Sequence, residues 1–308
     1  SDAVASYGAV VMDGGTVQVT KAALQVFGSN GNGRNGNGAY RASTKNCFAW
    51  MGTGSSSITI NGGVWTIDSI GAATLLNDNN TNGGGADSTL TINGGLLNCD
   101  ASSEFYFGLQ NGCLDVLTIN GGEFPLVGPL AHASGKGENC RCFLNLNGGR
   151  MTLGGVRSVD WSKPDYQPIV VTIGGAIEIA EMASSGVLTF EKPVRGDIGK
   201  ITHLGPGKLA FQDLTGLSET NKFDLALAGG ELELTGKDMN FGRIDFSGAG
   251  KLALVYEGTK DADALYTNGR QRGAGLYGAS ARQASRFTST GLLNVLTGEN
   301  PGALLLVR

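Results

Sequence analysis

The feature that most limits how this chain can fold is one phrase said five times: an apolar strand, a glycine pair, and a second apolar strand. The copies are Ile58-Thr-Ile-Asn-Gly-Gly-Val-Trp-Thr-Ile67, Leu90-Thr-Ile-Asn-Gly-Gly-Leu-Leu-Asn-Cys99, Leu117-Thr-Ile-Asn-Gly-Gly-Glu-Phe-Pro-Leu126, Leu144-Asn-Leu-Asn-Gly-Gly-Arg-Met-Thr-Leu153 and Val171-Thr-Ile-Gly-Gly-Ala-Ile-Glu-Ile179. Their first glycines stand at 62, 94, 121, 148 and 174, giving steps of 32, 27, 27 and 26 residues. A period of this size marks a repeat architecture, in which each copy buries its apolar face against its neighbours. Looser copies begin at Val10, Leu204, Leu225 and Phe246, with a last one over Ser289–Val295. The repeat therefore spans nearly the whole chain.

Within each copy the apolar residues alternate with period two, as in a strand that sends successive side chains to opposite faces. Before the glycines the inward columns are Ile58/Ile60, Leu90/Ile92, Leu117/Ile119 and Leu144/Leu146. After them they are Val17/Val19, Trp65/Ile67, Leu97/Cys99, Phe124/Leu126, Met151/Leu153, Ile177/Ile179, Leu209/Phe211, Leu232/Leu234 and Leu252/Leu254. Asn-Gly-Gly supplies residues that tolerate positive φ at a corner, although Asn-Gly is also a strong hairpin signal. Recurrence in register favours one coil per repeat over a hairpin with two equal arms. The expected fold is all-β: a right-handed parallel β-helix, or β-solenoid, of roughly ten coils with a C-terminal cap, preferred to an antiparallel β-sandwich or β-roll. At one strand spacing per coil such a rod would be on the order of 50 Å long. The solenoid is expected over residues 1–255, continuous with a cap or assembly segment over 256–308.

Of 308 residues 51 are Gly and 16% are charged, while 41% are hydrophobic, too apolar and periodic for disorder. Helical patterning is nearly absent, and a turn of helix is expected only at Asp261–Leu265 and Ala279–Ser285. The net charge of −4 arises from signs mixed along the chain, so no basic face for nucleic acid can be read. Arg270, Arg272, Arg282 and Arg286 cluster beside Tyr266 and Tyr277, and read as a solvated loop. No apolar run is long enough for a membrane-spanning helix. The chain opens on Ser1-Asp2-Ala3 without Met, which fits either a removed export signal or a cloning remnant.

Cys113 and Cys140 lie 27 residues apart, each eight before the first glycine of its copy, so they are expected to stack in adjacent coils and are candidates for a disulfide. Cys47 is an alternative partner, and Cys99 occupies an inward column as a small hydrophobe. A zinc site from Cys113, Cys140, Cys142 and His132 is disfavoured, because the spacing fits no standard site. The Gly/Asn/Asp-rich stretches 29–38 and 77–87 read as surface loops; calcium held by Asp78 and Asp87 is the lesser reading. No metal and no cofactor are expected.

For catalysis the outward carboxylates Glu178 and Glu233 are candidates, with Asp160, Asp165 and Glu181 on connecting segments. Each of the first two sits between inward apolar residues, where a charged side chain serves solubility. His132 and His203 are far apart in sequence, and no Gly-x-Ser-x-Gly elbow appears. Trp161 and Tyr166, in a polar insertion, are the aromatic candidates for ligand contact. Leu304, Leu305, Leu306 and Val307 could add as a strand to a second copy of the chain, against the simpler role of the C-terminal region as a cap.

The Leu-Thr-Ile-Asn-Gly-Gly repeats with their following apolar strands resemble the β-strand repeats of bacterial autotransporter passenger domains and related surface proteins. Gly275-Leu-Tyr-Gly-Ala279 followed by Phe287-Thr-Ser-Thr-Gly-Leu-Leu-Asn-Val295 resembles the closing segment of such exported proteins. The resemblance implies a secreted or cell-surface scaffold and transfers no catalytic residue. No membrane barrel or anchoring segment ends the chain, which points to a soluble or released module. The expected function is non-catalytic: a structural, adhesive or self-assembling surface protein, whose partners are itself and surface glycans, with no nucleic acid and no membrane insertion. The alternative is a secreted polysaccharide-active lyase or hydrolase.

Overall fold

The computed structural model describes residues 7–20, 55–68, 74–75, 87–99, 104–107, 114–126, 130–132, 141–153, 169–191, 193–218, 220–236 and 239–298. These residues are all-β and pair mostly in parallel, an architecture compatible with a β-solenoid. Among them no α-helix occurs, and no helix is long and apolar enough to cross a membrane. The chain divides into two compact units, Ser1–Ile173 and Gly174–Arg308.

In the first unit Tyr7–Met12, Ser55–Ile60, Asp87–Ile92, Leu114–Ile119, Arg141–Leu146 and Val170–Ile173 form one parallel ladder. Thr16–Thr20, Val64–Asp68, Leu96–Cys99, Glu123–Leu126 and Arg150–Leu153 form a second. A third sheet joins Thr74–Leu75, Glu104–Phe107 and Leu130–His132, also in parallel. Like positions of successive copies are paired, so Ile58, Leu90, Leu117, Leu144 and Val171 form one column. That column is buried, as are Ile60, Ile92, Ile119, Leu146 and Ile173 beside it, and Trp65, Leu97, Phe124 and Met151 across the corner. Val17, in the first copy, is half-buried.

Asn-Gly-Gly makes a corner here, because the strands on its two sides belong to different sheets. A two-residue type I′ hairpin needs positive φ at both central residues. Here the second glycine alone adopts it: Gly63 at 83°, Gly95 at 77°, Gly122 at 72° and Gly149 at 74°. The pairs also stack against one another. A Cβ on Gly122 would come within 2.5 Å of the Gly95 oxygen, and one on Gly94 within 2.6 Å of the Asn61 oxygen. Backbone bonds close the stack: Asn93 N–H donates to Ile60 O at 2.7 Å and Leu96 N–H to Gly63 O at 2.9 Å.

In the second unit Gly175–Glu181, Ile198–His203, Lys222–Leu227, Asn240–Phe246, Thr259–Thr267 and Leu292–Val295 pair in parallel, in that order. Across a corner run Val187–Phe190, Lys208–Phe211, Glu231–Thr235 and Lys251–Val255. Larger residues fill this core: Phe190 stacks on Phe211 at 4.9 Å, and Phe223 meets Phe241 edge-on at 5.3 Å. Such geometries add to the area that aromatic rings bury.

The C-terminal part departs from two expectations. Asp261–Leu265 lies inside the strand Thr259–Thr267, where Ala262 and Leu265 are buried in the ladder, and is not helical. A single 3-10 turn, Ala284–Arg286, overlaps the second expected helical stretch. Nor do the arginines form a purely solvated loop: Arg286 Nη1 donates to Gly248 O at 2.8 Å and Gly250 O at 3.1 Å, and Arg282 Nη1 to Ala274 O at 3.2 Å. They cover carbonyl oxygens that the preceding turns leave open. Asn268 and Gly269, at φ of 51° and 76°, reverse the chain into Arg270–Gln271. Gly275–Tyr277 then pairs antiparallel with Leu292–Val295, and Tyr256, its pKa raised by burial, donates its hydroxyl to Leu292 O at 2.8 Å. A short reversed strand makes a poor template for further parallel pairing.

The stacked corners carry a direct expectation. Gly95→Ala, which places a side chain at positive φ against Gly63, should lower stability by about 1–3 kcal/mol. Gly14→Ala, where a Cβ meets nothing within 4 Å, should stay within about 0.5 kcal/mol of the parent in denaturant titration.

Candidate functional site: the charged face of the second unit

The candidate residues Trp161, Tyr166, Cys113, Cys140, Leu304, Leu305, Leu306 and Val307 lie outside the described residues, as do Asp78, Asp160, Asp165 and Cys47. The residues that follow the two cysteines, Leu114 and Arg141, are register partners. Cys142 is buried, and its partner across the ladder is the buried Asp115. Asp87 opens a strand. No group of three His, Cys, Asp or Glu suited to a metal occurs among the described residues.

Polar chemistry gathers instead on the outward face of the second unit's longer sheet. The alternation that places it there is broken in an informative way. Buried positions fall three apart in Ile198/Ile201, Phe241/Ile244 and Ala262/Leu265, but two apart in Phe223/Leu225. An extra residue is thus exposed on three of four neighbouring strands, and the register shifts between Phe223 and Leu225. Bulges of this kind re-aim side chains. Asp224 Oδ1 accepts the Arg243 N–H at 2.7 Å, an approach open because position 242 is glycine. The Arg243 guanidinium lies 3.9 Å from the Tyr266 ring centroid and donates to Asp245 at 2.6 Å. Tyr266 in turn donates to Gln271 at 3.3 Å. Lys222 bonds Asp263 at 2.5 Å, a pair 41 residues apart in sequence.

Glu178 and Glu233 take the expected positions between buried neighbours, Ile177/Ile179 and Leu232/Leu234. They do not come together: they lie on different sheets. Glu233 receives Lys208 Nζ at 2.5 Å, and Glu231 takes the same ammonium at 3.3 Å. Burial acts to lower the pKa of Lys208, but its hydrogen bonds and Coulomb attraction to Glu233 and Glu231 outweigh that and raise it. Lys208 and Glu231 line an open groove of about 660 Å³ with Ser184, Ser185, Pro206 and Lys251. Glu181, a connecting-segment candidate, is buried and accepts the Ala183 N–H at 2.8 Å.

His203 is fully buried beneath that corner, with Nε2 3.0 Å from Gly207 O and Nδ1 3.3 Å from Ile179 O. Burial lowers its pKa and outweighs the two carbonyls, which favour the cation. A neutral ring has one N–H, so it serves one of the two carbonyls at a time. His132 lies on the third sheet of the other unit.

This charged face was missed in the sequence because its members are isolated Lys, Arg and Asp residues without a motif. The three-residue apolar spacing was the available signal. No family model, curated protein or solved structure matches the chain.

Two outcomes follow. The folded pKa of His203 is below its ordinary value of 6.5, so the unfolded chain binds more protons between the two values. Stability of the second unit should be full above about pH 6.5 and fall as pH drops towards the lowered folded pKa, a slope that His203→Gln should remove from thermal melts. Lys208→Met leaves two carboxylates facing each other, and should cost about 0.5–1 kcal/mol at low salt and less at high salt.

Proposed function

We infer that the chain is a non-catalytic extracellular β-solenoid. In this reading it is a right-handed parallel β-helix of roughly ten coils closed by a C-terminal cap, acting as a structural, adhesive or self-assembling surface protein. The carrying observation is that several side chains of catalytic type among the described residues are engaged with each other or with backbone. Arg243 is held between Asp245 and Tyr266, Lys208 between two glutamates, Lys222 on Asp263, and His203 between two carbonyls. A general acid or base must reach a substrate proton in the right protonation state. Residues tied in mutual pairs serve rigidity better. Its natural partners are further copies of itself, through the terminal strand Leu304–Val307 or end-to-end stacking, and surface glycans met by Trp161 and Tyr166, at a secreted or cell-surface location. The repeat's resemblance to exported surface proteins supports that location.

One observation favours the second reading, a polysaccharide-active lyase or hydrolase: Asp224, Arg243 and Asp245 stand together on the outward face of a parallel sheet. Incubating the full chain with uronate and neutral glycans decides between them. No chain shortening is expected; products that disappear in Asp224→Asn, Asp245→Asn, Glu178→Gln or Glu233→Gln would overturn the non-catalytic reading. For self-assembly, light scattering of the full chain should give larger particles than a chain lacking residues 300–308, and equal monomers in both would remove the terminal strand as the contact.

A further inference from the structure

Asp13, Asn61, Asn93, Asn120 and Asn147 occupy the same corner position in five copies of the repeat, and their side chains are linked in a row. Asn61 Nδ2 donates to Asp13 Oδ1 at 2.7 Å, Asn93 to Asn61 at 2.7 Å, Asn120 to Asn93 at 2.8 Å and Asn147 to Asn120 at 2.9 Å. An ionised carboxylate only accepts, whereas an amide donates at one end and accepts at the other. Asp13 therefore sets the direction of the row. Asn61 must turn Nδ2 towards position 13, which leaves its Oδ1 for Asn93, and the same choice passes to Asn120 and Asn147. Turning one inner amide over would set oxygen against oxygen on one side and NH2 against NH2 on the other. The next copy reads Ile173-Gly174 without an asparagine, so the row ends at Asn147, which is exposed and whose Oδ1 accepts no bond among the described residues.

We propose that Asn147 is a deamidation site of this chain, and that Asp13 governs how well the fold tolerates the charge so formed. The step is an attack of the Gly148 nitrogen on Cγ of Asn147. The bond from Cγ to Nδ2 breaks, ammonia leaves and a five-membered succinimide forms. Water then opens either of its carbonyls, giving an aspartyl or isoaspartyl residue, with no change of oxidation state. Glycine after asparagine puts no side chain beside the attacking nitrogen, and four of the five corners have it; the Gly148 N–H donates to Ile119 O at 3.2 Å, as Gly121 N–H does to Ile92 O, and must release that bond to attack. At Asn61, Asn93 and Asn120 both ends of the amide are held by neighbours, while among the described residues Asn147 is held through Nδ2 alone.

The product carries a second acceptor-only group, now at the far end of the row and facing Asn120 Oδ1. Reversing every amide would serve it, but would drive Asn61 Oδ1 onto the Asp13 carboxylate. A row of amides with one direction cannot satisfy two acidic ends. Positions 13 and 147 are about 19 Å apart at one strand spacing per copy. That is more than twice the screening length of about 8 Å at physiological salt, so direct repulsion between the charges is not what couples them.

The test uses the full chain as wild type, Asp13→Asn, Asn147→Asp and the double variant. On ageing at mildly alkaline pH, peptide mass spectrometry should find deamidation at Asn147 running several-fold ahead of Asn61, Asn93 and Asn120. Equal rates at all four would overturn the site. Hydrogen exchange over residues 114–126 should speed up about tenfold in Asn147→Asp, the size expected for one unmet hydrogen bond. Asp13→Asn should change it less than about twofold by itself and return the double variant at least halfway to wild type, the non-additivity that defines coupling. Additive effects would overturn the role of Asp13. If Asn147→Asp does not fold, recovery of folded protein in the double variant supports the coupling, and failure of both overturns it.

Discussion

The repeats of the first unit lean on the close approach of one glycine pair to the next. At each Asn-Gly-Gly corner the second glycine takes positive φ and lies where a Cβ would collide with the glycine of the copy before it. That contact brings successive backbones to hydrogen-bonding distance at the same point of every repeat, and so locks the register of the strands on both sides. Since a slip of one residue would send every apolar side chain outward, the corner and the core enforce each other.

Magnitudes separate what holds the fold from what decorates it. Truncating a buried leucine such as Leu117 costs about 2–5 kcal/mol, whereas an exposed pair such as Glu123 and Arg150, 3.4 Å apart, is worth about 0–1 kcal/mol. The columns of Ile, Leu and Phe therefore carry the stability, and the ladder of asparagines adds a directional bond per copy at the surface. The charged face of the second unit contributes little to stability by this measure. Its interest lies in the arrangement, a cation stacked on a tyrosine and paired with Asp245 while Asp224 takes the backbone N–H of the same arginine, which fits recognition or rigidity better than proton transfer.

The inward columns were legible in the sequence because period-two alternation is a local property. Ile58, Leu90, Leu117, Leu144, Trp65 and Phe124 could be placed by counting from the glycines. At Asp261–Leu265, where the sequence allows a turn of helix, the three-residue step from Ala262 to Leu265 in a strand imitates a helical spacing. The arginines read as solvated because a guanidinium's carbonyl partners, such as Gly248 and Gly250 for Arg286, lie 38 and 36 residues away.

By itself, then, the sequence determined that the chain is a repetitive β-protein with corners at Asn-Gly-Gly, which residues face inward, and that no familiar catalytic motif is present. Strand parity and the conformational freedom of glycine act over a few residues and leave their trace in the order of amino acids. The tertiary structure alone decided that Lys222 meets Asp263, that Arg243 lies on Tyr266, that His203 sits neutral between two carbonyls, and that Asp13 aligns a row of amides ending at Asn147. Those outcomes depend on which strands become neighbours and on where a bulge shifts their register. Both are settled by packing between residues far apart along the chain.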